Sequence, residues 1–563
     1  MTRNLVLVAA LLALLTSGTP LRPVAAASAD WSDIEGQFKK SFRPGKSGRA
    51  EREGALKQVA RSKDGRGVKL LMSAVTSQRK HTDDLFEAWE EGMAEWQEKT
   101  SRMESQREEA MRKHRERYEK KGEPVPPFIV NLASEEGRWL GAPPKRPGQM
   151  VAAHEQLMRQ YDEANAERRL LRQVRMGAAR ILKDIEGEEF ERAVGELVRA
   201  AEKGKGLERA ETIATLGFVR GEAVTKALEE QTQERDPLLV EAALEALGRQ
   251  NTVRGKEILL GFLGHEDWQL RSASLDGLIF YRDPEVIEAL LAQAEKEEGV
   301  VRRRIFQTMS SIVSEPVKAI VMAWQSWWPA NKADVLARWE RVPREPGPVW
   351  DDPPKLPILT ESNDGGTSFY GIETDSKHII FVADVSGSMA RQEDDPADQP
   401  AKIDVCRDEL KRALRGLSAV DEDERGAATF NIVLFSTDVL VFKEGRMVVA
   451  TAANKDKAFK WIDEHVQPQM QTNIYDAIEQ AFNVISGSSD RKNRQSGADT
   501  MFLMTDGAPS RGKFVRPDVI LQEVNRLNQT RGITIHTIGV GKNHNKPFLE
   551  RLAAENGGQY LAR

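Results

Sequence analysis

Asp384-Val385-Ser386-Gly387-Ser388 follows directly on the apolar run His378-Ile379-Ile380-Phe381-Val382-Ala383. A short run of apolar, β-branched and aromatic residues, ended by polar residues and Gly, predicts a buried parallel strand. One carboxylate and two hydroxyls then sit on the tight loop at the carboxyl end of that strand. In an open α/β sheet this is the edge where ligands bind. Ser and Asp oxygens are hard donors, suited to Mg²⁺, Mn²⁺ or Ca²⁺ rather than to zinc. Ser and Asp also build ordinary turns, so the weight of the motif depends on partners elsewhere in the chain.

Two partners lie downstream. The apolar run Met501-Phe502-Leu503-Met504-Thr505 ends in Asp506-Gly507, and Gln471-Thr472-Asn473-Ile474-Tyr475-Asp476 opens a helix-like stretch with Thr472 at its start. Three loops thus bring oxygen donors: Asp384, Ser386 and Ser388, then Thr472, then Asp506. This set resembles the von Willebrand factor type A (VWA) domain and its metal-ion-dependent adhesion site, over residues 371–563. The resemblance implies that Ser386, Ser388 and Thr472 bind the metal directly. It implies that Asp384 and Asp506 act largely through water, and that an acidic group of a partner protein completes the octahedron. One departure concerns the residues before the threonine, often glycines or an Arg-Gly pair in the family but Gln469, Met470 and Gln471 here.

The rest of 371–563 alternates strand and helix patterns. Lys402–Leu417 reads as a helix with Ile403, Cys406, Leu410, Leu414 and Leu417 on one face. Residues 429–435 read as a strand and 439–442 as a shorter antiparallel edge strand. Further helices are expected over 458–465, 474–485, 519–527 and 548–554, and strands over 533–540 and 559–562. Such alternation implies a doubly wound, mostly parallel sheet covered on both faces.

At 563 residues the chain is long enough for three or four domains. Acids and bases nearly cancel to a formal net charge of −5, which argues against nucleic acid as a partner. A single cysteine, Cys406 on the apolar helix face, excludes intrachain disulfides and reads as a core thiol. Residues 1–29 read as a signal peptide. Arg3 is the positive n-region, residues 5–15 are the apolar h-region, and Ala25-Ala26-Ala27 or Ala27-Ser28-Ala29 is a small-residue cleavage site. The h-region falls short of the roughly 20 residues a spanning helix needs, so the chain is expected to be exported, to the periplasm or the exterior, with no integral membrane segment after cleavage.

Before the VWA-like part the pattern is helical. Residues 30–80 read as an N-terminal helical segment, with a weak repeat-like unit at Leu56–Val75. Residues 81–186 read as a long helical hairpin, with Leu85, Trp89, Met93, Trp96 and Met103 on one strand and His154, Met158, Tyr161 and Leu171 on the other. Prolines between Gly122 and Gly148 separate the two. The hairpin is open to two readings, an interaction arm (a coiled coil) or a brace against the repeats. In 187–342 a thirty-one-residue period aligns Lys205, Asp236, Asp267 and Glu298. It also aligns Ile213, Leu244, Leu275 and Phe306, then Leu216, Leu247, Leu278 and Met309, then Leu228, Leu259 and Leu290. Each unit holds two short amphipathic helices that cannot bury their faces alone, so the units stack into a solenoid resembling HEAT repeats. Trp324, Trp327 and Trp328 close its last apolar face, after which the helical pattern fades. Residues 343–370 read as a Pro-rich linker.

The sequence contains no G-x-S-x-G elbow, H-E-x-x-H helix, Walker loop or dinucleotide fingerprint. Asp394 and Asp395, in the loop beside the proposed site, read as solvated acids. The expected function is therefore non-catalytic: a divalent-metal-dependent protein-binding or adhesion protein that captures a partner's acidic group, with the helical repeats as scaffold. The alternative is a metal-assisted hydrolase or a subunit of an enzyme complex, which would need a water-activating base near Asp384.

Overall fold

The computed structural model describes residues 30–121, 147–297, 299–342, 347–354, 356–357, 367–374, 376–390, 401–417, 428–468, 471–486, 498–528 and 532–563. The expected signal peptide, Pro124 to Pro144 of the hairpin, Glu298, Asp394, Asp395, Gln469 and Met470 lie outside the described residues. Among the described residues the chain is helical up to Arg341 and α/β from Ser368 onward.

The helices are α1 (Trp31–Ser41), α2 (Arg49–Ala60), α3 (Arg66–Glu119), α4 (Pro147–Asp184), α5 (Gly187–Lys203), α6 (Gly206–Leu216), α7 (Glu222–Gln231), α8 (Pro237–Gln250), α9 (Val253–Phe262), α10 (Trp268–Leu278), α11 (Pro284–Ala294), α12 (Gly299–Val313) and α13 (Val321–Arg341). The period of thirty-one emerges as cap and core. Lys205, Asp236 and Asp267 are the N-cap residues of α6, α8 and α10. Asp236 accepts from the Leu238 amide and Asp267 from the Gln269 amide, each satisfying an orphan donor of the first turn. The aligned apolar residues are all buried: Ile213, Leu244, Leu275 and Phe306; Leu216, Leu247, Leu278 and Met309; Leu228, Leu259 and Leu290. Backbones approach closely where α8 crosses α10. A Cβ on Gly248 would lie 2.3 Å from Gly277 Cα, so no larger residue fits there.

Two helices extend beyond what their sequence patterns suggest. α3 runs unbroken for 54 residues, about 80 Å at 1.5 Å per residue, and the boundary drawn between 80 and 81 falls inside it. α13 continues past Trp328 to Arg341 with Pro329 inside it. The fading pattern misled because proline normally breaks a helix interior; here buried Trp324, Trp328 and Val335 hold one face across the interruption. The Pro-rich segment lies along the solenoid. Trp350 packs on Phe218 with centroids 5.1 Å apart, the Val349 amide donates to the Arg249 carbonyl at 2.7 Å, and Arg249 Nη1 donates to the Asp351 carbonyl at 3.0 Å.

The α/β part contains β1 (Ser368–Phe369), β2 (Ile372–Glu373), β3 (His378–Asp384), α14 (Lys402–Gly416), β4 (Thr429–Phe435), β5 (Val439–Val441), β6 (Val448–Val449), α15 (Ala452–His465), α16 (Ile474–Ser486), β7 (Thr500–Thr505), α17 (Pro517–Asn528), β8 (Thr534–Gly539), α18 (Lys546–Glu555) and β9 (Tyr560–Ala562). The main sheet runs β5-β4-β3-β7-β8-β9, with β6 also on β4. β3, β4, β7, β8 and β9 are parallel, and β5 and β6 are antiparallel to β4. β1 and β2 form a separate hairpin. Alternation of side chains along β3 splits the core. Ile379, Phe381 and Ala383 meet α14 and α15, whereas Ile380 and Val382 meet α16, α17 and α18. Cys406 is buried on the first face. Because β4 lies on one side of β3 and β7 on the other, the carboxyl ends of β3 and β7 form the switch point of the sheet.

The hairpin of α3 and α4 packs against the α/β part as well as the repeats. Trp89, Met93, Leu157, Met158 and Tyr161 share one apolar cluster with Ile474, Tyr475, Phe514 and Val519 of the α/β part. Among the described residues no helix is long and apolar enough to cross a membrane.

Candidate metal centre

Asp384 is the last residue of β3, and the chain turns back on it. The Ser386 amide donates to Asp384 Oδ1 at 2.7 Å, and the Met389 amide donates to the Ser386 carbonyl at 3.0 Å. The short 3₁₀ turn Gly387–Ala390 then holds Ser388 over the sheet edge. Across the switch point, Thr505 at the end of β7 donates its hydroxyl to Asp384 Oδ2 at 2.5 Å and accepts from the Gly507 amide at 3.2 Å. Both Asp384 oxygens are therefore engaged, and the carboxyl is fully buried. Burial pushes its pKa up to about 6; hydrogen bonds from Ser386 and Thr505 oppose the rise, and the nearby Asp506 charge adds to it.

The hydroxyls and the second carboxylate form a connected set. Ser386 Oγ and Ser388 Oγ are 3.1 Å apart, and Ser388 Oγ donates to Asp506 Oδ1 at 2.6 Å. The other Asp506 oxygen accepts from Lys402 Nζ at 3.1 Å. Thr472 stands just ahead of α16 and is tied to the loop after Asp506 rather than to Asp506 itself. Its amide donates to Ser510 Oγ at 3.1 Å, and its carbonyl accepts from the Ser510 amide at 3.0 Å and the Arg511 amide at 3.3 Å. A Cβ on Gly507 would lie 3.4 Å from Thr472 Oγ1, so the hydroxyl abuts the Asp506–Gly507 turn. The structure thus gathers all five predicted residues at one sheet edge. Four are joined by direct hydrogen bonds, and Thr472 is joined through Ser510. Gln471, where the family often has glycine, accepts from Arg511 Nη1 at 3.3 Å and so adds to this loop-to-loop contact.

A hard divalent cation fits this donor set. It offers three hydroxyls and two carboxylates with no thiol or imidazole among them, which suits Mg²⁺, Mn²⁺ or Ca²⁺. Among the described residues there is no cluster of three or more His, Cys, Asp or Glu that could hold a metal ion. Three further residues serve the site that the sequence reading did not single out. Thr505 enters the sequence reading only as the end of an apolar run, and Ser510 carries no signal in it. Lys402 carried a usable signal: it is the first residue of α14, where the helix dipole disfavours a cation. A carboxylate nearby offsets that penalty, and Asp506 supplies one.

Comparison with known protein families agrees with the fold of the two regions. Residues 378–562 match the family described as von Willebrand factor type A domain, and residues 225–310 match HEAT repeats. The chain is 33% identical to inter-alpha-trypsin inhibitor heavy chain H3 of Mus musculus over 194 residues, which is 34% of this chain and 19% of that protein. It is 31% identical to inter-alpha-trypsin inhibitor heavy chain H4 of Homo sapiens over 194 residues, 34% of this chain and 18% of that one. The chain thus spans about a fifth of the length of the curated relatives it matches. Among solved structures it is similar to a von Willebrand factor type A protein from Catenulispora acidiphila, at 18% identity and a TM-score of 0.27, covering 34% of this chain and 39% of that one. Residues 378–562 are a von Willebrand factor type A domain, and HEAT repeats precede it at 225–310.

Proposed function

We propose that this protein is a non-catalytic binding protein, exported from the cell, that holds a divalent cation and uses it to capture an acidic group of a partner protein. Mg²⁺ is the first candidate, with Mn²⁺ or Ca²⁺ as alternatives. The observation that carries the reading is the 2.6 Å bond from Ser388 to Asp506, which joins the β3 and β7 loops, 118 positions apart, into one oxygen cluster. Ser386, Ser388 and Thr472 would hold the ion, with Asp384 and Asp506 orienting its shell. Asp384 is well suited to that outer role, since both its oxygens already serve the Ser386 amide and the Thr505 hydroxyl. When bound, the ion supplies an open coordination position.

Charge supports the choice of ligand. Asp384 and Asp506 together with Lys402 leave one negative charge at the site. A divalent cation reverses it to one positive charge, which attracts a further carboxylate. The apolar run at residues 5–15 supports export, and the repeats are the scaffold that carries the site.

The test uses the full chain. Ligand at a hundred times its dissociation constant stabilises a protein by about 2.7 kcal/mol. Wild type is expected to melt later in Mg²⁺ than in chelator, and Asp506→Ala is expected to lose that shift while keeping its circular dichroism. Identical melting of wild type in Mg²⁺ and in chelator would remove the metal and with it the carboxylate capture.

A further inference from the structure

The loop that follows Asp506 does not end at the metal centre. Eight residues on, Phe514 is buried between the helical hairpin and α16. Its ring stacks on Trp89 of α3 with centroids 5.3 Å apart and planes 6° from parallel. It also meets Tyr161 of α4 at 4.7 Å and Tyr475 of α16 at 4.6 Å. All four side chains are almost fully buried. Polar contacts ring this aromatic cluster. The Tyr161 hydroxyl donates to Glu523 of α17, Arg168 Nη1 lies 3.5 Å from the same carboxylate, and Arg516 bridges to Asp162 at 2.8 Å.

Between Phe514 and Asp506 the loop is bonded through Ser510, Arg511 and Lys513 to the segment that carries Thr472. The Lys513 amide donates to Asp476 Oδ1 at 2.9 Å, and Asn473 Nδ2 donates to Asp476 Oδ2 at 2.8 Å. Gly512 has φ +105, and a Cβ there would lie 2.0 Å from Asn473 Oδ1, so only glycine fits this approach. Ser510 and Thr472 then exchange the two bonds already described. A continuous chain of contacts therefore runs from Trp89 and Tyr161 through Phe514, Lys513 and Ser510 to Thr472. It touches two of the three loops of the metal centre.

We propose that the helical hairpin is a positioning element for the metal centre: Trp89 and Tyr161 clamp Phe514, and the clamp holds the Thr472 and Asp506 loops in the register that binds the ion. Trp89, Tyr161 and Phe514 are positioning residues, since none touches the cluster of oxygens. The proposal rests on the metal reading above. It also makes the hairpin and the ion partners in one equilibrium. Whatever the clamp contributes to metal affinity, the metal returns to the docking of the hairpin, because coupling between two binding events is reciprocal.

The experiment uses the full chain with two readouts, Mn²⁺ titration by calorimetry and hydrogen exchange at the Ser510, Arg511 and Lys513 amides. Trp89→Ala is expected to raise the Mn²⁺ dissociation constant at least tenfold. It is also expected to speed exchange at those three amides at least tenfold, with β3 and β7 still protected. Trp89→Phe, which keeps a stacking ring, is expected to restore most of both. Should Trp89→Ala fail to fold, Asp162→Arg answers instead. It is an exposed change that empties no core and sets like charge against Arg516, with an expected loss of about threefold. Wild-type exchange at the three amides in a folded variant would overturn the clamp, as would faster exchange with unchanged Mn²⁺ affinity. A wild type that takes up no Mn²⁺ would instead overturn the metal reading on which the proposal rests.

Discussion

The helical repeats and the α/β domain bury their apolar faces by opposite means. In the repeats, contacts join neighbours one unit apart. Thr225 bonds Gln250, Tyr281 bonds the Leu247 carbonyl, and Arg304 bonds Asp276, over separations of 25, 34 and 28 positions. In the α/β domain the decisive contacts span far more chain. Thr505 reaches Asp384 over 121 positions and Ser376 reaches Asp499 over 123. A solenoid is close to a one-dimensional sum of units and interfaces, whereas β3 sits between β4 and β7 and has no independent half. The first region should fail locally and the second all at once.

The sharpest way to break that contrast is to empty one core position in each. Phe381 is fully buried in β3, parallel to Phe502 at 5.9 Å and edge-on to Phe369 at 5.1 Å. Phe381→Ala is expected to cost about 3–5 kcal/mol, and Leu278→Ala in α10 about 2–5 kcal/mol. The distribution matters more than the size. Hydrogen exchange in Phe381→Ala should rise across β3, β4, β7 and β8 together, whereas in Leu278→Ala it should rise mainly in α8 to α12. A uniform rise from α5 to α13 after Leu278→Ala would show that the repeats unfold as one block.

The same contrast governs what could be read before the structure was seen. A strict period exposes the solenoid, because Leu216, Leu247 and Leu278 face the same environment in successive units. The oxygen-bearing loops were legible for another reason: two of the three follow an apolar strand, β3 or β7, and the third, with Thr472, opens a helix. The contact between the two regions was not legible. Phe514 belongs to no period, and nothing in Arg511-Gly512-Lys513-Phe514 says that its partner is Trp89, more than four hundred positions away. The stripe through Trp89 and Met93 announced an apolar face without naming what covers it. Residues 343–357 misled in a related way. Proline content signals a stiff chain, yet Trp350 and the carbonyls of Val349 and Asp351 dock on Arg249 and Phe218, contacts that composition cannot express.

A second test concerns charge at the switch point, which has no counterpart in the repeats. The Asp384 carboxyl has its pKa raised from 3.8 to about 6 by burial. Between those values the folded state binds more protons than the unfolded one, so this group's contribution to stability falls as pH rises through that window. Two units correspond to about 3 kcal/mol. In chelator, Asp384→Asn is therefore expected to be more stable than wild type by up to about 3 kcal/mol at pH 7, and to approach wild type near pH 4. It should show no response to Mg²⁺. Denaturant melts of both proteins across pH 4–8 measure the difference. Parallel profiles would mean that the buried carboxyl does not oppose folding.

The smallest effect tests whether the repeats are as modular as their period implies. Lys205, Asp236 and Asp267 occupy equivalent N-cap positions, but only the two aspartates accept a hydrogen bond from their helix. Lys205 already has the extended backbone a cap requires, φ −128 and ψ 147, and it places a positive charge where the helix dipole favours a negative one. Asp236→Ala is expected to cost about 1 kcal/mol, and Lys205→Asp to add stability of similar or slightly smaller size. If the units are independent, the two changes should cancel in the double variant to within roughly 0.5 kcal/mol. Neither should alter Mn²⁺ affinity, since the caps belong to the repeats and the proposed ion site to the sheet edge. A double variant far from the sum, or a cap change that moves metal affinity, would mean that strain in the solenoid reaches the α/β domain, and the comparison between a local and a global region would have to be redrawn around the helices that join them.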